Sequence, residues 1–181
     1  ISSITHAAQL IAVAIERKKS ETALEESEKR FRAIFEQAAV GVALIDSNSG
    51  RFIAVNQRYC DMLGMTIEEM QASTFMAITH PEDLRPDLDL MARMKAGDIR
   101  QFKLEKRLKR KGGGIIWVNL AVSAMWEPGS VPDRHVAIVE DITSTKQAEE
   151  ALKESEQMNR ALLDHTSALI VVTDNTGRIT H

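Results

Sequence analysis

The strongest constraint on the fold is an internal repeat. The stretch "ALEESEKRFRAIFEQAAVGVALID", from Ala23 to Asp46, is similar to "ALKESEQMNRALLDHTSALIVVTD", from Ala151 to Asp174, at a constant offset of 128 residues. A repeat of this kind indicates a structural unit that is used more than once. Each copy predicts a charged helix, a short strand, a turn and a second strand. One complete unit therefore spans about 25–144, and the second copy is truncated at His181.

The segments that flank this unit are predicted to be helical. Apolar residues in the first segment recur at alternating steps of four and three, as in a coiled-coil seam, at Ile4, Ala8, Ile11 and Ile15. The charged stretch "ERKKSETALEESEKR" that follows is typical of a solvent-exposed helix that bridges two domains. We divide the chain into a helical linker (1–24), a complete domain (25–144), a second helical linker (145–160) and the truncated start of another domain (161–181).

The first half of the complete domain is predicted to contain a hairpin and several short helices. "VALID" and "RFIAV" form the hairpin, with "SNSG" as its turn. Asn56 is a candidate cap for the helix "QRYCDMLG". Thr66 begins another helix with Glu69 three residues later, in a capping-box pattern. Thr79 is a candidate cap for a third helix, which runs to about Ala96.

The second half of the domain changes to a two-residue period. Alternation in "RQFKLEKRLKR" places Phe102, Leu104 and Leu108 on one face and charged residues on the other, which predicts a half-buried antiparallel strand. "IIWVNLAVSAMW" and "HVAIVEDI" predict two further strands, joined by the loop "EPGSVPDR". A charged helix follows, capped by Thr143 or Ser144.

The "KGGG" stretch, residues 111–114, is a candidate for a phosphate-binding loop or for a hairpin turn. A P-loop requires glycine, four residues, glycine, lysine and then serine or threonine, between a strand and a helix. Here the lysine precedes the glycines, no hydroxyl residue follows, and strands are predicted on both sides. The stretch is therefore predicted to be a hairpin turn.

Composition excludes several classes of protein. The 181 residues are 44% hydrophobic and 27% charged, and the net charge of −3 provides no drive toward nucleic acid or an anionic membrane. Cys60 is the only cysteine, so no disulfide can form within the chain, which suits a cytoplasmic location. No apolar run approaches the roughly 20 residues of a membrane-spanning helix. The chain does not begin with Met, and we expect it to be a piece of a longer protein.

Five segments resemble PAS domains, in the order that this family has them. They are "FRAIFEQAAVGVALID", "AVNQRYCDMLGMTIEEM", "THPEDL", "LEKRLKRKGGGIIWVNLAVSAM" and "AIVEDITSTKQAEEAL". The resemblance covers about 30–144 and, as the opening of a second PAS domain, about 157–181. It implies an α+β fold, in which a five-stranded antiparallel sheet carries short helices on one face and is flanked by long helical linkers. The first 24 residues resemble the last helix of a GAF domain.

We expect neither flavin nor heme. Flavin-binding PAS domains of the LOV type use an Asn-Cys-Arg-Phe-Leu-Gln motif, whereas Cys60 lies in "RYCDML", where we expect a buried structural cysteine. Heme-binding PAS domains use a histidine in this half of the domain, but His80 precedes Pro81 at a predicted helix start, as is common in the family without heme. His135 begins the last strand and is expected to be exposed. We find no metal-site spacing of His, Cys, Asp or Glu.

Two charged groups have ordinary structural explanations. The first group is acidic and consists of Glu82, Asp83, Asp87 and Asp89. It could be catalytic or bind a cation, but a helix N-terminus also favours acidic residues. The basic run from Arg100 to Lys111 contains seven Lys or Arg, and alternation places most of them on the solvent face of a strand. Nucleic-acid binding would require interleaved aromatic residues, and this run offers Phe102 alone.

A ligand, if one exists, is placed by the PAS resemblance between the inner face of the sheet and the short helices. The candidate lining residues are Leu44, Tyr59, Phe75, Met76, Phe102, Leu104, Trp117 and Met125. A filled core would contain the same residue types. Because aromatic residues are few and Met, Leu and Ala are many, we expect a small apolar cavity or none.

The resemblance implies a sensory or relay function. A small-molecule ligand or a partner would shift the sheet, and Asp141, Ile142 and Thr143 would pass the change into the following helix. Pairing of the flanking helices in a homodimer would then bias a downstream effector, which the resemblance suggests is a histidine kinase or a cyclic-di-GMP enzyme. The alternative is a structural dimerisation spacer that binds no ligand. We assemble no catalytic constellation from the sequence, and we expect no enzyme activity and no DNA-binding helix.

Overall fold

A computed structural model describes residue 18 and residues 22–166, with side chains through residue 162. The described residues fall into two units, one ending at Asp141 and the other beginning at Ile142. Most of the expected GAF-like segment (1–24) lies outside the described residues, as does the expected second PAS copy from residue 167 onward.

The described residues form six helices and five strands. In chain order these are α1 (22–37), β1 (Gly41–Asp46), β2 (Phe52–Val55), α2 (Gln57–Leu63), α3 (Ile67–Gln71), α4 (Phe75–Ile78), α5 (Pro81–Ala96), β3 (Gln101–Lys109), β4 (Ile115–Ala124), β5 (Arg134–Asp141) and α6 (Thr143–Thr166). The predicted hairpin, the short helices and the three later strands are all present.

The strands form one antiparallel sheet in the order β2-β1-β5-β4-β3. Alternate residues of each strand point to opposite faces, and one face is buried. On β4, for example, Ile116, Val118, Leu120 and Val122 are buried, whereas the residues between them are partly exposed. Helix residues such as Leu63, Met70 and Met94 complete this core. The predicted α+β architecture, with a five-stranded antiparallel sheet, is confirmed.

The predicted caps of the first two short helices are confirmed. The Asn56 side chain accepts a hydrogen bond from the backbone of Tyr59 at the start of α2, and Gly64 ends this helix with a left-handed φ of 68°. Thr66 and Glu69 form the complete capping box of α3. Each cap supplies a partner for backbone groups that a helix end leaves unpaired.

Thr79 does not cap α5, contrary to the sequence prediction. It follows α4, a helix that the sequence analysis did not predict, and its hydroxyl donates to the carbonyl of Phe75 at 2.7 Å. His80 is the cap of α5, because its Nδ1 accepts from the backbone of Glu82 at 3.4 Å and Pro81 occupies the first turn. Thr79 therefore ends α4, and the adjacent His80 begins α5.

The glycine-rich stretch is a hairpin turn, as predicted. The Arg110 N–H donates to the carbonyl of Gly114 at 2.8 Å, and Gly113 has a φ of 88°, which side-chain-bearing residues rarely adopt. The Arg110 guanidinium also donates to the carbonyl of Met62 at 2.8 Å. This contact ties the tip of the hairpin to the end of α2.

Candidate functional site

Asn56 forms the first of two buried polar clusters, which we call the Asn56 junction. Its Oδ1 accepts from the backbone N–H groups of Val42 and Tyr59, at 2.9 and 3.1 Å. Its Nδ2 donates to the carbonyls of Phe35 and Val40, at 2.9 and 3.0 Å. A single side chain thus joins the end of α1, the start of β1 and the start of α2. Since every side-chain donor and acceptor is used, the Asn56 junction has no capacity for a ligand.

The second polar cluster surrounds a small cavity between the inner face of the sheet and helices α2, α4 and α5. We call it the polar cavity, and its volume is about 20 Å³, which is room for about one water molecule. Its lining residues are Ile45, Tyr59, Phe75, Asp87, Met91, Lys106, Leu120, Val122, His135 and Ala137. The cavity therefore lies where the PAS resemblance places a ligand. Four of its lining residues are nevertheless polar, namely Tyr59, Asp87, Lys106 and His135.

A buried ion pair forms one wall of the polar cavity. The Lys106 ammonium lies 2.5 Å from the Asp87 carboxylate, and the two side chains are 3% and 2% exposed. The ammonium also donates to the hydroxyl of Thr79 at 3.0 Å and lies 5.7 Å from the centre of the Phe75 ring. Burial lowers the pKa of Lys106, and the adjacent Asp87 opposes this shift. The pair is costly to desolvate, so such a pair is weak evidence for a gain in stability.

His135 forms the opposite wall of the cavity and is 2% exposed. The prediction that His135 is exposed was therefore wrong. It alternates with exposed residues of β5 and shares the inner face with Ala137 and Val139. Its Nδ1 is 2.9 Å from the Ser47 hydroxyl. Burial lowers the pKa of His135 to about 4, so the ring is neutral at pH 7.

Three polar atoms that line the cavity have no hydrogen-bond partner among the described residues. They are the Tyr59 hydroxyl, Asp87 Oδ1 and His135 Nε2. No fully enclosed side-chain nitrogen or oxygen in the described part of the chain lacks a partner, so these atoms border accessible space. Burial raises the pKa of Tyr59, with a further contribution from the Asp87 carboxylate, so the phenol is neutral. The cavity can thus offer both donors and acceptors to an occupant.

The residues that the sequence analysis assigned to a pocket lie in several places. Tyr59 and Phe75 line the polar cavity, and Met76 lines a neighbouring groove on the surface. Phe102 and Leu104 lie on the inner face of β3 but are not among the lining residues.

Three further assigned residues also do not line the cavity. Leu44 and Trp117 occupy alternate positions of β1 and β4 that point to the outer face of the sheet, and Trp117 stands opposite Arg107 there. Met125 follows the end of β4 and is 62% exposed. The assignment used hydrophobicity alone. It did not consider which alternate residues of each strand point to the buried face.

The polar side chains of the cavity were missed by the sequence analysis, although the sequence contains a signal for two of them. Lys106 has the same parity as Phe102, Leu104 and Leu108 on β3. His135 has the same parity as Ala137 on β5. Alternation alone would have placed both side chains on the buried face, against the usual preference of Lys for solvent.

The charged groups considered in the sequence analysis are mainly structural. Glu82 and Asp83 lie in the first turn of α5 and form ion pairs with Arg107, each at 2.7 Å. These contacts lower the pKa of Asp83. Asp87 differs from them, since it is buried against Lys106. Cys60 is fully buried, and burial raises the pKa of its thiol. In the described residues no group of three or more His, Cys, Asp or Glu is arranged to hold a metal ion.

Comparison with known proteins identifies the fold family. A family model described as the PAS fold matches residues 52–139. The PAS domain of an HTR-like protein from Haloarcula marismortui superposes with a TM-score of 0.58 at 26% identity, and the match covers 69% of this chain and 99% of that one. This chain contains a PAS domain.

Relatives of this PAS domain occur in signalling enzymes. The chain is 34% identical over 141 residues to the "Probable diguanylate cyclase DgcE" of Escherichia coli, a match that covers 78% of the chain and 12% of the relative. It is 29% identical over 157 residues to the sensor histidine kinase TmoS of Ectopseudomonas mendocina, covering 87% of the chain and 16% of the relative. The chain thus spans a small part of both relatives. In the residues that the structure describes, we find no helix of the length and apolarity that a membrane crossing requires.

Proposed function

We propose that this PAS domain is a sensory relay that passes a conformational change from the polar cavity to a downstream effector through α6. A PAS domain is itself a non-catalytic module, and the relatives named above are a cyclase and a kinase. The effector would accordingly be a histidine kinase or a cyclic-di-GMP enzyme.

The observation that carries this proposal is the path of β5. This strand contributes His135 and Ala137 to the wall of the cavity and ends at Asp141. Ile142 alone separates it from α6, which begins at Thr143. A shift of the cavity wall is therefore transmitted along one continuous stretch of backbone, and Asp141, Ile142 and Thr143 form the output joint.

The proposal includes a homodimer formed through the flanking helices. On α1, Leu24, Phe31 and Ile34 are each more than half exposed, and on α6 the same is true of Leu152, Met158 and Leu162. Leu24 and Leu152, like Ile34 and Leu162, occupy equivalent positions of the internal repeat. Apolar stripes on charged helices favour pairing with a second copy. Glutamate at Ile34 and Leu162 should shift sedimentation toward the monomer, while glutamate at the exposed, charged-face position Lys153 should not.

The relay is tested in a fusion of the whole chain to the catalytic core of a histidine kinase. The substitution Ala137→Val fills part of the polar cavity and should change autokinase activity several-fold. The matched substitution Ala96→Val, at the exposed end of α5, should leave activity unchanged. A passive spacer would respond to neither substitution. Equal activities of Ala137→Val, Ala96→Val and the unsubstituted fusion would therefore contradict the relay and favour the spacer.

A further inference from the structure

The polar cavity shares two walls with a groove on the protein surface. The groove, which we call the α5 groove, has a volume of about 250 Å³ and is lined by Ser47, Asn48, Gly50, Phe75, Met76, Leu88, Met91, Ala92 and Lys95. Phe75 and Met91 line the cavity as well. Ser47, which lines the groove, contacts His135 of the cavity at 2.9 Å. Phe75 and Met91 thus border both a small polar chamber and a much larger space outside it.

One of the two shared side chains is flexible. Met91 is unbranched and can change rotamer without moving the backbone of α5. Movement of Met91 would join the polar cavity to the α5 groove as one pocket. The groove follows one face of α5, since Leu88, Met91, Ala92 and Lys95 are spaced by three, four and seven residues.

The charges around the polar cavity cancel. Lys106 is positive and Asp87 is negative, at a separation of 2.5 Å, while His135 and Tyr59 are neutral at pH 7. A charged ligand head would therefore leave one buried charge without a partner, which is strongly unfavourable. An uncharged head that donates and accepts hydrogen bonds would instead satisfy the free atoms of Tyr59, Asp87 and His135.

The walls of the α5 groove suit a different part of a ligand. Phe75, Met76, Leu88 and Met91 are apolar, and Lys95 alone carries a charge among the described residues that line the groove. Apolar walls favour the burial of hydrocarbon.

We propose that the polar cavity and the α5 groove, joined by movement of Met91, together bind a small amphipathic molecule, whose uncharged hydrogen-bonding head, such as an amide, reaches into the cavity and whose apolar body lies in the groove. This inference rests on the proposed sensory function, because it names the class of ligand that would act on the cavity. The Lys106–Asp87 pair remains intact in the complex and orients the head.

Three probes with the same body and different heads test this proposal on the whole chain. Pentanamide, pentanoate and pentylammonium are titrated into protein labelled at its methionine methyl groups, and NMR follows Met91 and Met76 with the exposed Met125 as reference. Pentanamide should shift the signals of Met91 and Met76 but not that of Met125. The two ions should bind at least tenfold more weakly, a difference of about 1.4 kcal/mol.

Two variants locate the binding. The paired substitution Lys106→Met with Asp87→Leu removes the polar wall without leaving a lone charge, and Ala92→Trp fills the groove from an exposed position. Each should weaken pentanamide binding at least tenfold, with circular dichroism confirming the fold. The proposal is overturned if an ion binds as tightly as the amide, if both variants bind pentanamide normally, or if none of the three probes shifts Met91 at its solubility limit.

The result of the ligand-binding test can be distinguished from the result of the relay test in the kinase fusion. A response of the kinase fusion to Ala137→Val, together with no binding of pentanamide, would reject the ligand class and retain the sensory function. Binding of pentanamide without any response of the fusion to Ala137→Val would reject the relay and retain the site.

Discussion

The Asn56 junction and the polar cavity are both buried polar clusters, but they differ in how completely their atoms are paired. The oxygen and the nitrogen of the Asn56 side chain form hydrogen bonds with four backbone groups, all within 3.1 Å. The polar cavity pairs Lys106 with Asp87 and Ser47 with His135, and leaves three polar atoms facing a space for about one water molecule. Complete pairing is what a structural junction needs, whereas the polar cavity leaves three atoms open to a water molecule or to the ligand proposed above.

The largest effect is expected from breaking the ion pair of the cavity. Lys106→Met leaves the buried Asp87 carboxylate unpaired and should lower the free energy of unfolding by about 3–5 kcal/mol. Adding Asp87→Leu removes the lone charge and should recover most of the lost free energy of unfolding. Urea denaturation of both variants measures the two values. A double variant as unstable as Lys106→Met would show that the pair itself stabilises the fold.

At the Asn56 junction a second substitution should not recover the lost stability, because the partners of Asn56 are backbone groups that no substitution removes. Asn56→Ala leaves the carbonyls of Phe35 and Val40 and the N–H of Val42 without their partner and should cost about 3 kcal/mol. Hydrogen exchange should accelerate at the end of α1. Asn56→Asp keeps the two acceptor contacts but cannot donate to the carbonyls, so it should release α1 as well. Unchanged exchange in both variants would contradict the role of Asn56 as a junction.

The pH dependence of stability should distinguish the cavity from the junction, which does not titrate. The pKa of His135 is about 4 in the folded chain, where burial and the charges of Lys95 and Lys106 outweigh Asp46, and its ordinary value is 6.5. Between these values the unfolded chain binds more protons, so the stabilisation is complete above pH 6.5 and is lost as pH falls toward 4. The contribution should fall by about 2.5 kcal/mol between pH 7.5 and 4.5.

The control for this prediction is His135→Gln, which cannot gain a proton in that range. Unfolding free energies of the two proteins, measured in urea at several pH values, should diverge in slope below pH 6.5. Parallel curves would show that His135 is protonated equally easily in the folded and unfolded chains.

The smallest effect is expected for Ser47→Ala at the edge of the cavity. Loss of the hydroxyl removes the 2.9 Å hydrogen bond to His135 and should cost about 1 kcal/mol. Ser49→Ala is a matched control on the exposed turn beside it, where the hydroxyl bonds to Asp46 in solvent. The melting temperature of Ser47→Ala should be lower than that of Ser49→Ala. The reverse order would indicate that His135 does not depend on Ser47.

The fold was largely predictable because local rules determine it. Alternation defined β3, the Thr66–Glu69 pair defined the start of α3, and the glycines after Lys111 defined a turn. Helix α4 escaped prediction because a four-residue helix has no periodicity to detect. Its position depends on Thr74 and on packing of Phe75 against the core.

The site was less predictable than the fold because it depends on exceptions to those rules. Lysine usually faces solvent, yet Lys106 faces the core, where Asp87 from α5 meets it across a separation of 19 residues. Sequence shows that Lys106 shares the parity of buried residues, but it does not show that an acid lies opposite. The pairing is a tertiary contact, so only the structure reveals that the expected apolar cavity has polar walls.

The most direct test of the account compares stability with output in the paired variant Lys106→Met with Asp87→Leu. Unfolding in urea and autokinase activity are measured on the kinase fusion with and without the two substitutions. The account predicts a free energy of unfolding within about 1 kcal/mol of the original, because the charges are removed together, and a change in activity of several-fold. Unchanged activity at unchanged stability would contradict the claim that the polar cavity controls the effector.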